Sequence, residues 1–446
     1  MGEYFDVLYA KVNEFRETIR SHYAGEYGFM VQEDGGVVLR ERSAPEHDAR
    51  LVAQMEAFFF DVHMLTSRFM QYSDLDPHPY DLKLHALGVD ADAGEGARPL
   101  SAFGALDRAV DHEYMGKVVD LVDYERWRSS AAESFETGFL HMSFFPVHDA
   151  QRKALYELAM LIGAYREAER LVQRDLVDIL DNGIAALNSG AVRLSGFDVV
   201  MLFANIAVLV AFPEVAWAYA ADVALFGVGF ASQMSSGENI PQSGDYEVAG
   251  DDAVTVLAGV GSALDRLEEV MEENDREIKR RFETMLSSTE SFANPRLDLP
   301  PPPIVGNPDF GHTWATYDPA VPIQQDQVLV SVMDVYEAGY KTLPAIAQLY
   351  RSVMHRIDWY ELPELSYTRH WRHSSDIPQQ VIDRLVAIFR NSSETLVDVG
   401  EALVSIAASY DLNDAQNAEY IRQTEILREP PSQHRVGHEH IGHYLE

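Results

Sequence analysis

Cysteine is absent from all 446 residues, which removes disulfides and thiolate metal sites from consideration. Cations are scarce: 35 Lys and Arg stand against 71 Asp and Glu, a formal charge of −36. A nucleic-acid backbone is held by clustered Lys and Arg, so this balance excludes nucleic acid as a partner and disfavours anionic lipid. Long apolar runs are missing too. Residues 199–213, 215–221 and 223–234 are strongly apolar, but Asp198, Glu214 and Asp222 punctuate them, and each falls short of the roughly 20 residues of a spanning helix. They are expected to form a buried helical pair, with a membrane-inserting hairpin as the alternative. The start, Met1-Gly2-Glu3-Tyr4-Phe5-Asp6, has neither a basic region nor an apolar signal core. The expected location is therefore cytoplasmic, exported without a cleavable signal peptide, or both. No Gly-rich phosphate loop, nucleophile elbow or paired-carboxylate motif is present, so no catalytic or cofactor-binding residue is assigned and no cofactor is expected.

What the chain does have is helical periodicity. Phe5, Leu8, Val12, Phe15 and Ile19 recur at three and four residues, as do Leu51, Met55, Phe58, Val62, Leu65 and Phe69 after a capping-box pair at Ser43 and Glu46. Leu257, Val260, Leu264, Leu267, Met271, Ile278 and Met285 mark another long helix with a charged outer face. Between the first two helices, residues 27–39 hold two short β-type runs around Asp34-Gly35-Gly36, the pattern of a small hairpin. Residues 73–99 and 235–249 read as loops. Pro300, Pro301, Pro302 and Pro303 lie in a stretch, 295–322, that holds eight of the twenty prolines and reads as a stiff strap. Helices are expected over 328–340 and 344–357 around a turn, and from Asp376 and Pro378 to about Tyr410, with Leu396, Val399, Leu403 and Ile406 inward.

The expected fold is all-α, built of long antiparallel helical hairpins or bundles, with one minor β-hairpin near residues 27–39. Five regions follow: an N-terminal helical region with the β-hairpin (1–98), a helical hairpin with the apolar pair and a long helix (99–292), the Pro-rich linker (293–325), a C-terminal helical bundle (326–428) and a His-rich tail expected to be disordered (429–446).

The segment Trp127-Arg128-Ser129-Ser130-Ala131-Ala132-Glu133-Ser134-Phe135 lies between two arms of heptad-like spacing. Phe103, Leu106, Val110, Val118 and Leu121 precede it. Leu155, Leu158, Ile162, Tyr165, Val172, Leu176, Ile179, Gly183 and Ala186 follow, with one polar interruption. Pro146 places the start or a kink of the second arm at that residue. The pattern predicts a helix-to-helix turn with an aromatic anchor before it. Over roughly residues 100–190 the chain resembles the WXG-type family of helical-hairpin proteins exported by type VII secretion. In that family a W-x-G turn is followed by x-A-A-x-x-F; here Trp127, Ala131, Ala132 and Phe135 are in register, with Ser129 in place of glycine. Tyr410 with Asp414 matches the tyrosine-and-acid export signal of the family's substrates, as do Tyr165/Glu169 and Tyr360/Glu364. The resemblance implies a non-enzymatic structural or interaction protein, a secretion substrate or helper. Its partners would be proteins bound through helical faces, such as a small WXG-type protein or a secretion ATPase, with oligomerisation left open.

The remaining chemistry is carried by histidine. His434, His438, His440 and His443 crowd the tail, but His438-Glu439 is followed by Gly442 where a zinc protease needs its second histidine, so no metal site is assigned. His355, His370, Trp371 and His373 would make an acid–base group only if the fold supplied an orienting carboxylate, and they are expected to be surface or capping residues. A membrane-active protein using 199–234, a cytosolic scaffold, and an enzyme lacking a recognisable motif are the alternatives.

Overall fold

A computed structural model describes residues 3–31, 37–39, 45–88, 101–123, 127, 130–189, 192–194, 246–248, 252–287, 295–302, 331–358 and 370–423. The architecture is helical. The longest helices are Glu3–Glu26, Pro45–Phe69, Phe145–Ser189, Ala253–Ser287 and Ile377–Gln423. The expected β-hairpin forms, Phe29–Val31 pairing antiparallel with Val37–Leu39 and Met30 opposite Val38. A second antiparallel pair, Val192–Leu194 with Tyr246–Val248, was not foreseen, and it replaces part of the loop expected over 235–249. The rest of that loop, the apolar runs of 199–234, residues 303–330 and the tail from 424 lie outside the described residues, as does Ser129.

Two compact units are present, each assembled from three separate stretches of chain: residues 1–107, 147–298 and 350–390 in one, and residues 108–146, 299–349 and 391–446 in the other. In the first unit the 3–26 helix packs against both the 45–69 and the 253–287 helices. Leu8, Val12, Phe15 and Ile19 of the first helix are buried, as are Met55, Phe58, Val62, Leu65 and Phe69 of the second. Gly183 of the 145–189 helix is there for clearance: a Cβ on it would stand 2.7 Å from Val260 Cγ2 and 2.9 Å from Phe15 Cε2. The 253–287 helix is capped from two directions. Asp252 Oδ1 accepts the Thr255 N–H at 2.7 Å, and the Glu26 carboxylate accepts that of Ala253 at 3.1 Å. The hydrogen bonds from Thr255 hold the Asp252 carboxyl below its ordinary range. At the opposite polarity, the buried Lys83 amino group donates to the carbonyl of Ile357, near the C-terminal end of the Leu343–Asp358 helix.

Proline marks helix beginnings. Pro45, Pro79 and Pro378 stand at the first or second position of a helix, where a missing N–H costs nothing, and Pro146 and Pro344 stand at the second position of an α-helical stretch. Pro146 and Pro344 have a further consequence. Each follows a wide π-helical segment, Ser134–Phe144 and Ala338–Thr342, so the helix continues through the proline instead of stopping. The hydroxyls of Ser143 and Thr342 reach back five residues to the carbonyls of Gly138 (2.8 Å) and Glu337 (3.5 Å), matching the i→i+5 register. The turn expected between the 328–340 and 344–357 helices is therefore absent: Val332–Glu337, the π segment and Leu343–Asp358 form one run.

Two other expectations are corrected. The 73–99 loop contains the His78–Leu87 helix, opened by Pro77 and Pro79 and closed by Gly88 at φ +93°. The first arm before Trp127 is not one helix but Ala102–Ala109, a π turn at His112–Gly116 and Lys117–Asp123.

Candidate functional site

A dense polar cluster of the first unit is built by four distant segments, around residues 72–81, 165–169, 268–275 and 370–376. Its centre is Glu169, fully buried on the 145–189 helix. Glu169 Oε1 accepts the Tyr80 hydroxyl at 2.9 Å, and Oε2 accepts the Asp76 N–H at 3.1 Å. Burial raises its carboxyl to about 8, with the hydrogen bonds from Tyr80 and Asp76 opposing the shift. Burial likewise raises the Tyr80 phenol, which stays protonated beside it. Tyr165 and Tyr80 lie nearly parallel at 6.4 Å, and Trp371 stands edge-on to Tyr165 at 5.8 Å.

A second buried carboxylate, Asp275 on the 253–287 helix, holds the turn after Trp371. Its oxygens accept the His373 N–H at 2.6 Å, the Ser374 N–H at 3.0 Å and the Ser374 hydroxyl. Ser374 Oγ in turn accepts the Tyr165 hydroxyl at 2.6 Å. Buried carboxylates and the backbone donors of a tight turn thus satisfy one another, which is what makes their burial affordable. Nearer the surface, His370 Nε2 meets Asp74 Oδ1 at 2.9 Å while its ring stacks on Tyr72. Tyr72 donates to Glu268, which also pairs with Arg68 at 2.8 Å.

The carboxylate that sequence reasoning could not supply for His370 is therefore Asp74, 296 positions away. The histidines do not converge: His373 stands 3.6 Å from Glu272, and His355 is exposed on the 343–358 helix. Every oxygen of Glu169 and Asp275 is engaged with backbone or side-chain donors of the same cluster. Chemically the arrangement is a clamp that joins helices to the 370–376 turn. Among the described residues no group of three His, Asp or Glu side chains is placed to hold a metal ion.

In the sequence Glu169 stands out only as the acid of the Tyr165/Glu169 match and Asp275 not at all, yet both leave a trace of their buried role. Glu169 is the polar interruption between Tyr165 and Val172, and Asp275 fills the gap between Met271 and Ile278. Each is a carboxylate at a core position of a heptad.

The hairpin-turn residues belong to the second unit. Trp127 is 1% exposed and its ring lies 5.7 Å from that of Phe135, which leads into Phe139 (5.3 Å) and then Phe144 (6.0 Å). Ala132 is buried on the short Ser130–Glu133 helix, which also carries Ala131. The 117–123 helix packs on the 134–144 segment. Tyr410 is half-buried, and its helix does not end there but runs on through Asp414 to Gln423, so the pair sits within a helix rather than at its end.

No family model, no curated protein and no solved structure matches this chain.

Proposed function

We propose that the protein is a non-enzymatic helical interaction protein associated with type VII secretion, as substrate or helper. The observation that carries this reading is the Trp127 junction. A buried indole against Phe135, with Ala132 buried on the helix between them, gives the W-x-x-x-A-A-x-x-F spacing a packing reason. The buried carboxylates support a structural role over a catalytic one, because the oxygens of Glu169 are engaged by the Asp76 N–H and the Tyr80 hydroxyl and those of Asp275 by the turn at residues 373–374. Among the described residues no helix is long and apolar enough to cross a membrane. Tyr410 and Asp414, one helical turn apart on a continuous helix, remain the address proposed for export.

The test is export itself. The full chain, expressed in a host with a working type VII system, should appear outside the cell and should stay inside when the secretion ATPase is deleted. Replacing Tyr410 and Asp414 with Ala should reduce the exported fraction without changing the urea midpoint. Wild-type protein that never leaves the cell, or leaves it equally well without the ATPase, would return the chain to the status of a cytosolic scaffold.

A further inference from the structure

We propose that the outer face of the Pro45–Phe69 helix is the docking seam for an amphipathic helix of another protein, one whose apolar stripe is flanked by Lys and Arg. The proposal rests on the interaction reading above and lies outside the Trp127 hairpin.

The helix is apolar on two sides. Its inner stripe is buried against the 3–26 and 253–287 helices. Its outer side carries a second stripe, Ala53, Ala57, Phe60 and Met64, at spacings of four, three and four, and all four residues are exposed. Phe60 is 60% and Met64 52% accessible. A helix apolar on both faces belongs between two partners, and only one of them is among the described elements. The heptad spacing selects a helix as the other: small Ala53 and Ala57 let a backbone approach closely, while Phe60 and Met64 supply knobs one turn further on.

Charge selects the kind of helix. The stripe is bordered by Glu56 on one side and Asp61 on the other, both exposed and both at the flanking heptad positions. A second copy of this chain would bring the same acids together within molecules of formal charge −36, whereas Lys or Arg at the facing positions would pair with them.

Three synthetic 24-residue helical peptides test this against the full chain. One has Leu at its seam and Lys at the flanks, one has Leu with Glu flanks, and one has Ser and Gln at the seam with Lys flanks. The first should bind wild type at least tenfold more tightly than either control. Its affinity should fall at least tenfold for the Phe60→Glu/Met64→Glu variant, although that variant is the more acidic. Affinity unchanged or increased in the variant would reduce the effect to bulk charge and overturn the seam. So would equal binding of all three peptides, or no binding to wild type. A wild-type dimer that the variant dissociates would assign the face to self-association instead. A urea midpoint lowered by the neutral Phe60→Gln/Met64→Gln pair, at unchanged slope, would show the stripe already covered within the chain and would overturn the seam. Loss of the seam with ATPase-dependent export intact would leave the secretion reading standing, and the reverse result would leave the seam standing.

Discussion

Gly339 and Gly400 set how closely their two helical segments approach. A Cβ on Gly339 would stand 2.5 Å from the carbonyl oxygen of Gly400, and one on Gly400 would stand 2.6 Å from that of Gly339. The obstacle is backbone, which cannot turn aside as a side chain can. Gly339→Ala and Gly400→Ala should each destabilise by about 1–3 kcal/mol, read from urea midpoints at constant slope. Gly163 is the control. It lies inside the 145–189 helix with nothing within 4 Å of an added Cβ, so Gly163→Ala should stabilise by about 0.5–1 kcal/mol. Equal effects at all three positions would mean that helix propensity, not approach, is being measured. Trp127 gives the opposite case, where volume is needed. Trp127→Ala should cost about 3–5 kcal/mol, since the ring is buried against Phe135. Its indole N–H has no hydrogen-bond partner among the described residues, so Trp127→Phe should cost less than half as much. An unchanged midpoint for the alanine variant would move Trp127 from anchor to exposed docking residue. The importance of Trp127 could be read in the sequence. That of Gly339 and Gly400 could not, because a glycine at a crossing looks like any other until its neighbour 61 positions away is known.

At the scale of elements, periodicity located the long helices because burying one stripe is what stabilises them. Boundaries were less legible, for physical reasons. Pro77, Pro79 and Gly88 looked like loop residues over 73–99, yet they open and close a ten-residue helix. The final helix runs past Tyr410 because no glycine or proline stops it before Pro430. The π segments do leave a sign: Phe135, Phe139 and Phe144 are spaced by four and then five, and the rings pack in succession because the wide turn needs the extra residue. The candidate site was invisible as a motif, since its parts come from four segments, but its two carboxylates sit in the gaps of heptads. Glu169 makes that clamp sensitive to pH. Its folded pKa, about 8, lies above the ordinary carboxyl value of 4.5, so between those values the folded chain holds a proton that the unfolded chain has released. Its contribution to stability is fully present below about pH 4.5 and is lost as pH rises through 8. His148, lowered by burial to about 4, and Lys83, lowered by burial to about 8, act with the opposite sign as pH rises from about 4 to 6.5 and above about 8 respectively. Comparison with Glu169→Gln cancels both. The urea midpoint of wild type should decline relative to the variant from pH 5 to 8 and run parallel above about pH 9. Parallel curves throughout would mean that Glu169 is ionised in the folded protein at all these values.

Over the whole molecule, the −36 formal charge opposes the compact state, because folding brings 71 acids closer together than the unfolded chain does. Ion pairs oppose that repulsion only weakly. Those between Lys11 and Asp181, Arg152 and Asp107, Arg170 and Asp81, and Arg384 and Asp298 are partly exposed and contribute about 0–1 kcal/mol each. Salt screens both effects, and the excess of like charge decides the sign. Raising NaCl from about 0.01 M to 0.15 M shortens the screening length from about 30 Å to about 8 Å, which removes long-range repulsion first and contact pairs last. The urea midpoint should therefore rise over that interval, and most of the rise should come at its dilute end. Glu169→Gln should show the same rise, since a buried, protonated carboxyl is not part of the repelling surface. A midpoint that falls with salt would show that the specific pairs outweigh the net charge. One that rises only above 0.15 M would point to salting-out of apolar surface, such as the Phe60 and Met64 stripe, in place of screening.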